Sequence, residues 1–183
     1  MKLSAPTISP EWLQRAAALA STKNDATLAD IATLVDIFWI GGTKAGALLG
    51  EAIVVCNPAL TEDFAFHVKQ RGGMLAKGRL LGIQFQELFG AKNLFFENAK
   101  HANAMALKLA SGIMSAGYGL EAETATNQLF PVLPNSVIAD LQRQFAFYVW
   151  RTVDDDHSVI RLVTSWATQE GQVDAFLARL AQR

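Results

Sequence analysis

Scarcity bounds this chain before any pattern does. Cys56 is the only cysteine among 183 residues, so no disulfide can form within the chain and a reducing compartment suits it. It closes the apolar run AIVVC and reads as a small buried hydrophobe. No stretch approaches the roughly 18 apolar residues that a membrane span needs. The N-terminal MKLSAPTIS lacks the apolar core of a signal peptide, so the expectation is a cytoplasmic protein with no membrane partner. Neither sign of charge is in excess: 16 Lys and Arg stand against 17 Asp and Glu, for a net charge of −1. No positive field exists to gather a nucleic acid.

What is present is core. Hydrophobic residues make up 51% of the chain, enough to fill one domain or one and a half. Ser9-Pro10-Glu11 before WLQRAAALA reads as a capped helix start, with an end expected near Lys23. A second short helix, LADIATLV, follows Thr27. Asp36-Ile-Phe-Trp-Ile and Glu51 to Cys56 are short apolar runs of the kind found in strands covered on both faces, and the turn Gly41-Gly42-Thr43-Lys44 follows the first. From Pro58 the spacing turns helical, with Phe85, Phe89, Phe95 and Phe96 as core, and a long helix is expected over Asn93 to Ser115 with glycine beyond it. Then come a strand (Asn127 to Leu133), a helix opened by Pro134-Asn135-Ser136, strands at Phe145 to Trp150 and Ser158 to Thr164, and a helix from Gln169. That order predicts a small antiparallel sheet with helices on one face. The two earlier strands are too few for their helices, so the first half is expected to associate with something or to belong to a larger fold.

Several residues have the chemistry of a site. Lys44 follows an apolar strand in a glycine-opened turn, where a desolvated amine loses its proton and forms a Schiff base. From GGTK alone an ordinary surface lysine in a loop is the commoner reading. Arg161 in HSVIRLVTSW alternates to the face opposite Ile160 and Leu162, where a guanidinium can hold a carboxylate with two parallel bonds or can simply be exposed. Lys69, Arg71, Lys77 and Arg79 surround Gly72-Gly73 and suit either a phosphate or a solvated helix junction. Asp154-Asp155-Asp156-His157 has metal-ligand residue types, but consecutive acids diverge, so a polar turn is expected and no metal. His67 and His101 have no companion at metal spacing.

The order of the segments DIFWIGGTKAGALLGEAIVV, KQRGGMLAKGRLLGIQFQELF, AKHANAMALKLASG, TNQLFP and HSVIRLVTSWAT resembles the threonine aldolase and β-eliminating lyase family of pyridoxal-phosphate enzymes. The resemblance runs from about Asn24 to the C-terminus. It implies an α/β fold: part of a fold-type-I large domain over residues 1–92, then a linking helix and a small α+β domain over 93–183. It implies pyridoxal 5'-phosphate as cofactor, with Lys44 as its covalent partner, Thr43 beside it, and Lys69, Arg71 and Lys77 near the cofactor or a neighbouring subunit. Arg161 matches an arginine that binds the substrate carboxylate, and Thr126-Asn127 matches the entry to the small domain. The implied reaction is that of an aldehyde-lyase, cleaving a small β-hydroxy amino acid to glycine and an aldehyde. β-Elimination and transamination share the same fold and lysine.

Full-length relatives in that family begin with a segment carrying most of the large sheet, a phosphate loop, a ring-stacking aromatic or histidine, and an aspartate at the pyridine nitrogen. None has a counterpart here. Glu11-Trp12-Leu13-Gln14 falls where the family has a DGAR-type motif. The expectation is a chain poorly active or inactive alone, working as a homo-oligomer or with a complementing N-terminal half, or kept as a non-catalytic oligomerisation remnant.

Overall fold

The computed structural model describes residues 16–182. The expected helix start at Ser9 to Glu11, and Gln14, lie outside the described residues. Helix α1 is Ala16–Leu19. It stops short of Lys23 because the Asn24 side-chain amide donates to the Leu19 carbonyl at 3.2 Å, in place of a further helical N–H. The described chain forms two compact units, one of residues 16–19 and 24–96, the other of 20–23 and 97–182.

In the first unit α2, Leu28–Leu34, opens on a capping box. The Asp30 N–H donates to Thr27 Oγ1 at 3.2 Å and the Thr27 N–H donates to Asp30 Oδ2 at 2.8 Å, which satisfies two donors at the helix start. Strands β1, Ile37–Gly41, and β2, Glu51–Val55, pair antiparallel with Trp39 opposite Ile53. Their expected coverage on both faces is not what the structure shows. Phe38 and Ile40 are buried, while Ile37 and Ile53 on the alternate positions are exposed. A short apolar run has the same composition whether one face or two is covered, and here only one is. Cys56 corrects a second expectation: it is half-buried, held after β2 by its N–H donating to the Asp36 carbonyl at 2.9 Å. A 3-10 turn at Pro58–Leu60, α3 (Phe64–Gln70) and α4 (Arg79–Leu88) follow.

Helix α5 runs Leu94–Ser115, close to expectation. The Tyr118 N–H donates to the Ile113 carbonyl at 3.2 Å and the Gly117 N–H to that of Met114 at 3.0 Å, with Gly117 at φ 88°. Only a residue tolerant of that left-handed backbone closes the last carbonyls in this way.

The second unit is an antiparallel sheet. β7, His157–Val163, is its central strand. β4 (Gln128–Leu129) and β5 (Pro131–Pro134) pair with β7 in one unbroken register, so the single strand expected from Asn127 to Leu133 is present with an interruption at Phe130. β3, Gly119–Leu120, adds beyond β5, and β6, Tyr148–Thr152, lies on the other side of β7. β6 begins three residues later than Phe145 because that segment packs inward: the Phe145 ring meets Phe176 edge-on at 5.1 Å. Leu129, Leu133, Ile160 and Leu162 face α5, α6 (Asn135–Leu141) and α7 (Glu170–Leu180), where Ile113, Leu141, Phe176 and Leu180 complete the core. Lys108 on α5 ties α7 through Glu170 at 2.8 Å and Asp174 at 2.5 Å.

The acidic run is a turn. Asp154 Oδ1 accepts the N–H groups of Asp156 at 2.8 Å and His157 at 2.7 Å, an arrangement that Asp favours before a strand. Among the described residues no group of three or more His, Cys, Asp or Glu is placed to hold a metal ion. No helix among them is long and apolar enough to cross a membrane.

Two outcomes test this packing. Leu133 is fully buried, so Leu133→Ala should lower the unfolding free energy by about 2–5 kcal/mol in urea titration. The Asp154 carboxyl sits below the usual carboxylate value, first through the Asp156 N–H and then through His157. A depressed folded value means that the turn's contribution is present above the unfolded carboxylate range and is lost as pH falls through the folded value. Hydrogen exchange at the Asp156 and His157 amides should therefore quicken relative to the rest of β7 in acid below that range.

Candidate functional site

Lys44 occupies a 3-10 turn, Thr43–Ala45, directly after β1. Backbone hydrogen bonds and close packing hold the turn. The Ala45 and Ala47 N–H groups both donate to the Gly42 carbonyl at 3.0 Å, and the Gly42 N–H donates to that of Gly50 at 3.2 Å. A Cβ on Gly42 would lie 2.9 Å from Phe85 Cζ and 2.9 Å from Ala47 Cβ, so α4 approaches this backbone as only glycine allows. Gly46 at φ 110° and Gly50 at φ 97° supply the left-handed positions of the loop. Gln84 on α4 completes the clamp: its side-chain oxygen accepts the Leu48 N–H at 2.6 Å, and its amide donates to the Leu80 carbonyl at 2.9 Å. Ala45 is buried, while Thr43 and Lys44 are exposed.

Lys69 lies in the last turn of α3 and Arg71 caps it. Gly72 follows with φ 73°, the sharp exit that the sequence Gly72-Gly73 suggests. Lys69, Arg71, Lys77 and Arg79 are all exposed. Among the described residues neither they nor Lys44 form an ion pair.

Arg161 belongs to the second unit. It is half-buried on β7, facing away from Ile160 and Leu162, which are in the core. Its Nε–H donates to Gln128 Oε1 at 3.0 Å, and its guanidinium carbon lies 5.6 Å from the centre of the Trp150 ring. A cavity of about 650 Å³ in this unit counts Arg161 among its lining with Leu109, Phe145, Thr164, Val173 and Phe176. Asn127 is a tether: its side-chain amide donates to the Thr164 carbonyl at 2.7 Å, while Thr164 Oγ1 donates to the Ala102 carbonyl at 2.6 Å. His67 and His101 are exposed, and a ring nitrogen of His101 lies 2.8 Å from the Thr168 carbonyl.

Thr43 and Lys44 thus share one turn, while Lys69 ends α3 and Arg71 and Lys77 lie in the connection that follows it, all in the first unit. Arg161 stands on the second unit's sheet. Residue-type reasoning passed over Gln84, Gln128 and Trp150. A glutamine in an apolar helix face, four residues after Leu80, was the available signal for Gln84.

No family model matches the chain. A threonine aldolase from Leishmania major superposes with a TM-score of 0.85 and 46% identity, over 93% of this chain and 49% of that one. The low specificity L-threonine aldolase of a Pseudomonas species is 30% identical over 148 residues, which is 76% of this chain and 39% of that protein. A putative aromatic amino acid β-eliminating lyase/threonine aldolase from Exiguobacterium aligns with a TM-score of 0.65 at 18% identity, a likeness of fold. The architecture is therefore that of the fold-type-I pyridoxal-phosphate enzymes. Within that class the chain belongs to the threonine aldolase and β-eliminating lyase family, matching the C-terminal part of the Leishmania protein. It spans about half the length of that relative.

If Gly42 admits Phe85 as described, Gly42→Ala should destabilise the first unit by about 1–3 kcal/mol through overpacking. Guanidinium unfolding followed by Trp39 fluorescence would read it, and adding Phe85→Leu should restore part of the loss.

Proposed function

We propose that the chain carries two working parts of a pyridoxal-phosphate aldehyde-lyase of the low-specificity threonine aldolase type: the cofactor lysine, Lys44, and a carboxylate-binding arginine, Arg161. The substrate class is small β-hydroxy amino acids, cleaved between Cα and Cβ to glycine and an aldehyde. The observation that carries this reading is the clamped Lys44 turn in a chain 46% identical to a threonine aldolase.

The residues present fit the cofactor at two ends. Lys44 offers an exposed primary amine with no ion pair among the described residues, on a backbone fixed by Gly42 and Gln84. Lys69, Arg71 and Lys77 offer cations to a phosphate dianion, and Thr43 a hydroxyl beside the lysine. The cofactor, when bound, supplies an electron sink conjugated to the substrate nitrogen. Lys44 supplies the primary amine that holds the cofactor covalently. Arg161 meets the α-carboxylate with two parallel N–H donors and fixes the amino acid on the sheet face.

The site is read as completed by residues beyond this chain's, from a second copy or a complementing N-terminal half. The first unit supports this, leaving Leu48, Phe66 and Leu80 exposed to 84%, 72% and 66%, more apolar surface than an isolated soluble unit keeps. The same surface favours, as a second reading, a non-catalytic oligomerisation module. Elimination or transamination would use the same lysine and arginine.

Borohydride reduction of the chain mixed with pyridoxal phosphate, followed by peptide mapping, should label Lys44 stoichiometrically and lose that label in Lys44→Ala. The chain alone should turn over threonine poorly and gain aldehyde release when the complementing half is added. Labelling scattered over surface lysines, with self-association unchanged in Lys44→Ala, would sink the lyase in favour of the oligomerisation module.

A further inference from the structure

On β6 the pairing with β7 slips by one residue: Val149 faces Ile160 and Arg151 faces Val159, leaving Trp150 as the extra residue of a β-bulge. A bulge re-aims a side chain that strict alternation would send elsewhere. Here the Trp150 ring lies 5.6 Å from the Arg161 guanidinium carbon and 5.6 Å from the Phe130 ring. From the other side of β7, Gln128 holds the Arg161 Nε–H at 3.0 Å. The aromatic face and the amide oxygen thus constrain one guanidinium from two strands.

We propose that Gln128 and Trp150 are positioning residues that pre-orient Arg161 to bind a carboxylate end-on through its two terminal nitrogens. The inference rests on the reading that Arg161 receives the substrate carboxylate, and it names what makes that arginine selective. A guanidinium has five N–H donors. Gln128 occupies the one on Nε, which removes the side-on mode of binding. The remaining donors lie on Nη1 and Nη2, and among the described residues no acid forms an ion pair with them. The Trp150 ring limits rotation about the side chain and is attracted to the cation through its π face. Holding the group still before the ligand arrives removes part of the ordering cost of binding. Gln128 also keeps its amide N–H groups for the same carboxylate, so a ligand with a neutral carboxamide gains less at this position.

The test uses the full chain and sodium acetate as probe at constant ionic strength, read by the Trp150 indole N–H resonance, with acetamide as the neutral control. The wild-type chain should give a saturable shift with acetate and a weaker one with acetamide, and Arg161→Ala should abolish the acetate shift. Gln128→Met, which keeps the side-chain volume, should raise the acetate Kd about three- to tenfold, the scale of one immobilised side chain. The Arg161 Nε–H resonance in Gln128→Met should move to its solvent-exposed position while the melting temperature holds. Trp150→Phe, read by the Arg161 Nη resonances, should weaken acetate binding less than Gln128→Met does. An acetate affinity unchanged in Gln128→Met, with binding still lost in Arg161→Ala, overturns the positioning role alone. Absence of saturable binding in the wild-type chain, or its persistence in Arg161→Ala, overturns the carboxylate reading itself, and the positioning role with it.

Discussion

Burial of Ile160 and Leu162 is the constraint from which the second unit follows. β7 lies between β4 and β5 on one side and β6 on the other, so its backbone is satisfied from both edges and its side chains have only two directions. Once Ile160 and Leu162 enter the helical core, residue 161 must take the opposite face. A one-residue slip would bury the guanidinium and expose both aliphatic side chains, two changes that oppose folding together. The chemistry proposed for Arg161 is therefore held by its apolar neighbours, and the register is its guarantee.

The first unit solves a different problem with different means. Its two strands cover only one face, and the rigidity of the Lys44 turn comes from close approach instead of a deep core. Phe85 and Leu81 come against Gly42 and Gly50, while Gln84 supplies the oxygen that the Leu48 amide needs. The clamp orders the backbone of the turn while leaving the Lys44 amine uncovered. The same loop and helix leave Leu48 and Leu80 largely exposed.

How much of this was legible in the sequence depends on whether the information is local. Gly117 marked the end of α5 because a left-handed cap is a property of one residue, and Pro134-Asn135 marked the start of α6 for a similar reason. The apolar runs of β1 and β2 were legible as strands, yet their burial was not, since coverage depends on what packs above and below. The shift of β6 away from Phe145 and the half-exposure of Cys56 have the same origin. Lys44 stood out because glycines precede it. Gln84 acts from 36 residues downstream of Leu48, and Trp150 acts through a bulge, a property of two strands together that no single run of residues records.

That bulge carries another consequence. Among the described strands β6 pairs on one side only, and it shows Tyr148, Val149 and Trp150 to solvent. A flat apolar edge of this kind invites strands from other molecules to add on, the first step toward fibrous aggregates. The extra residue at Trp150 twists the edge, and Arg151, paired with Glu121, places a charge on it. The same distortion that turns an aromatic ring toward Arg161 thus denies an incoming strand a straight template.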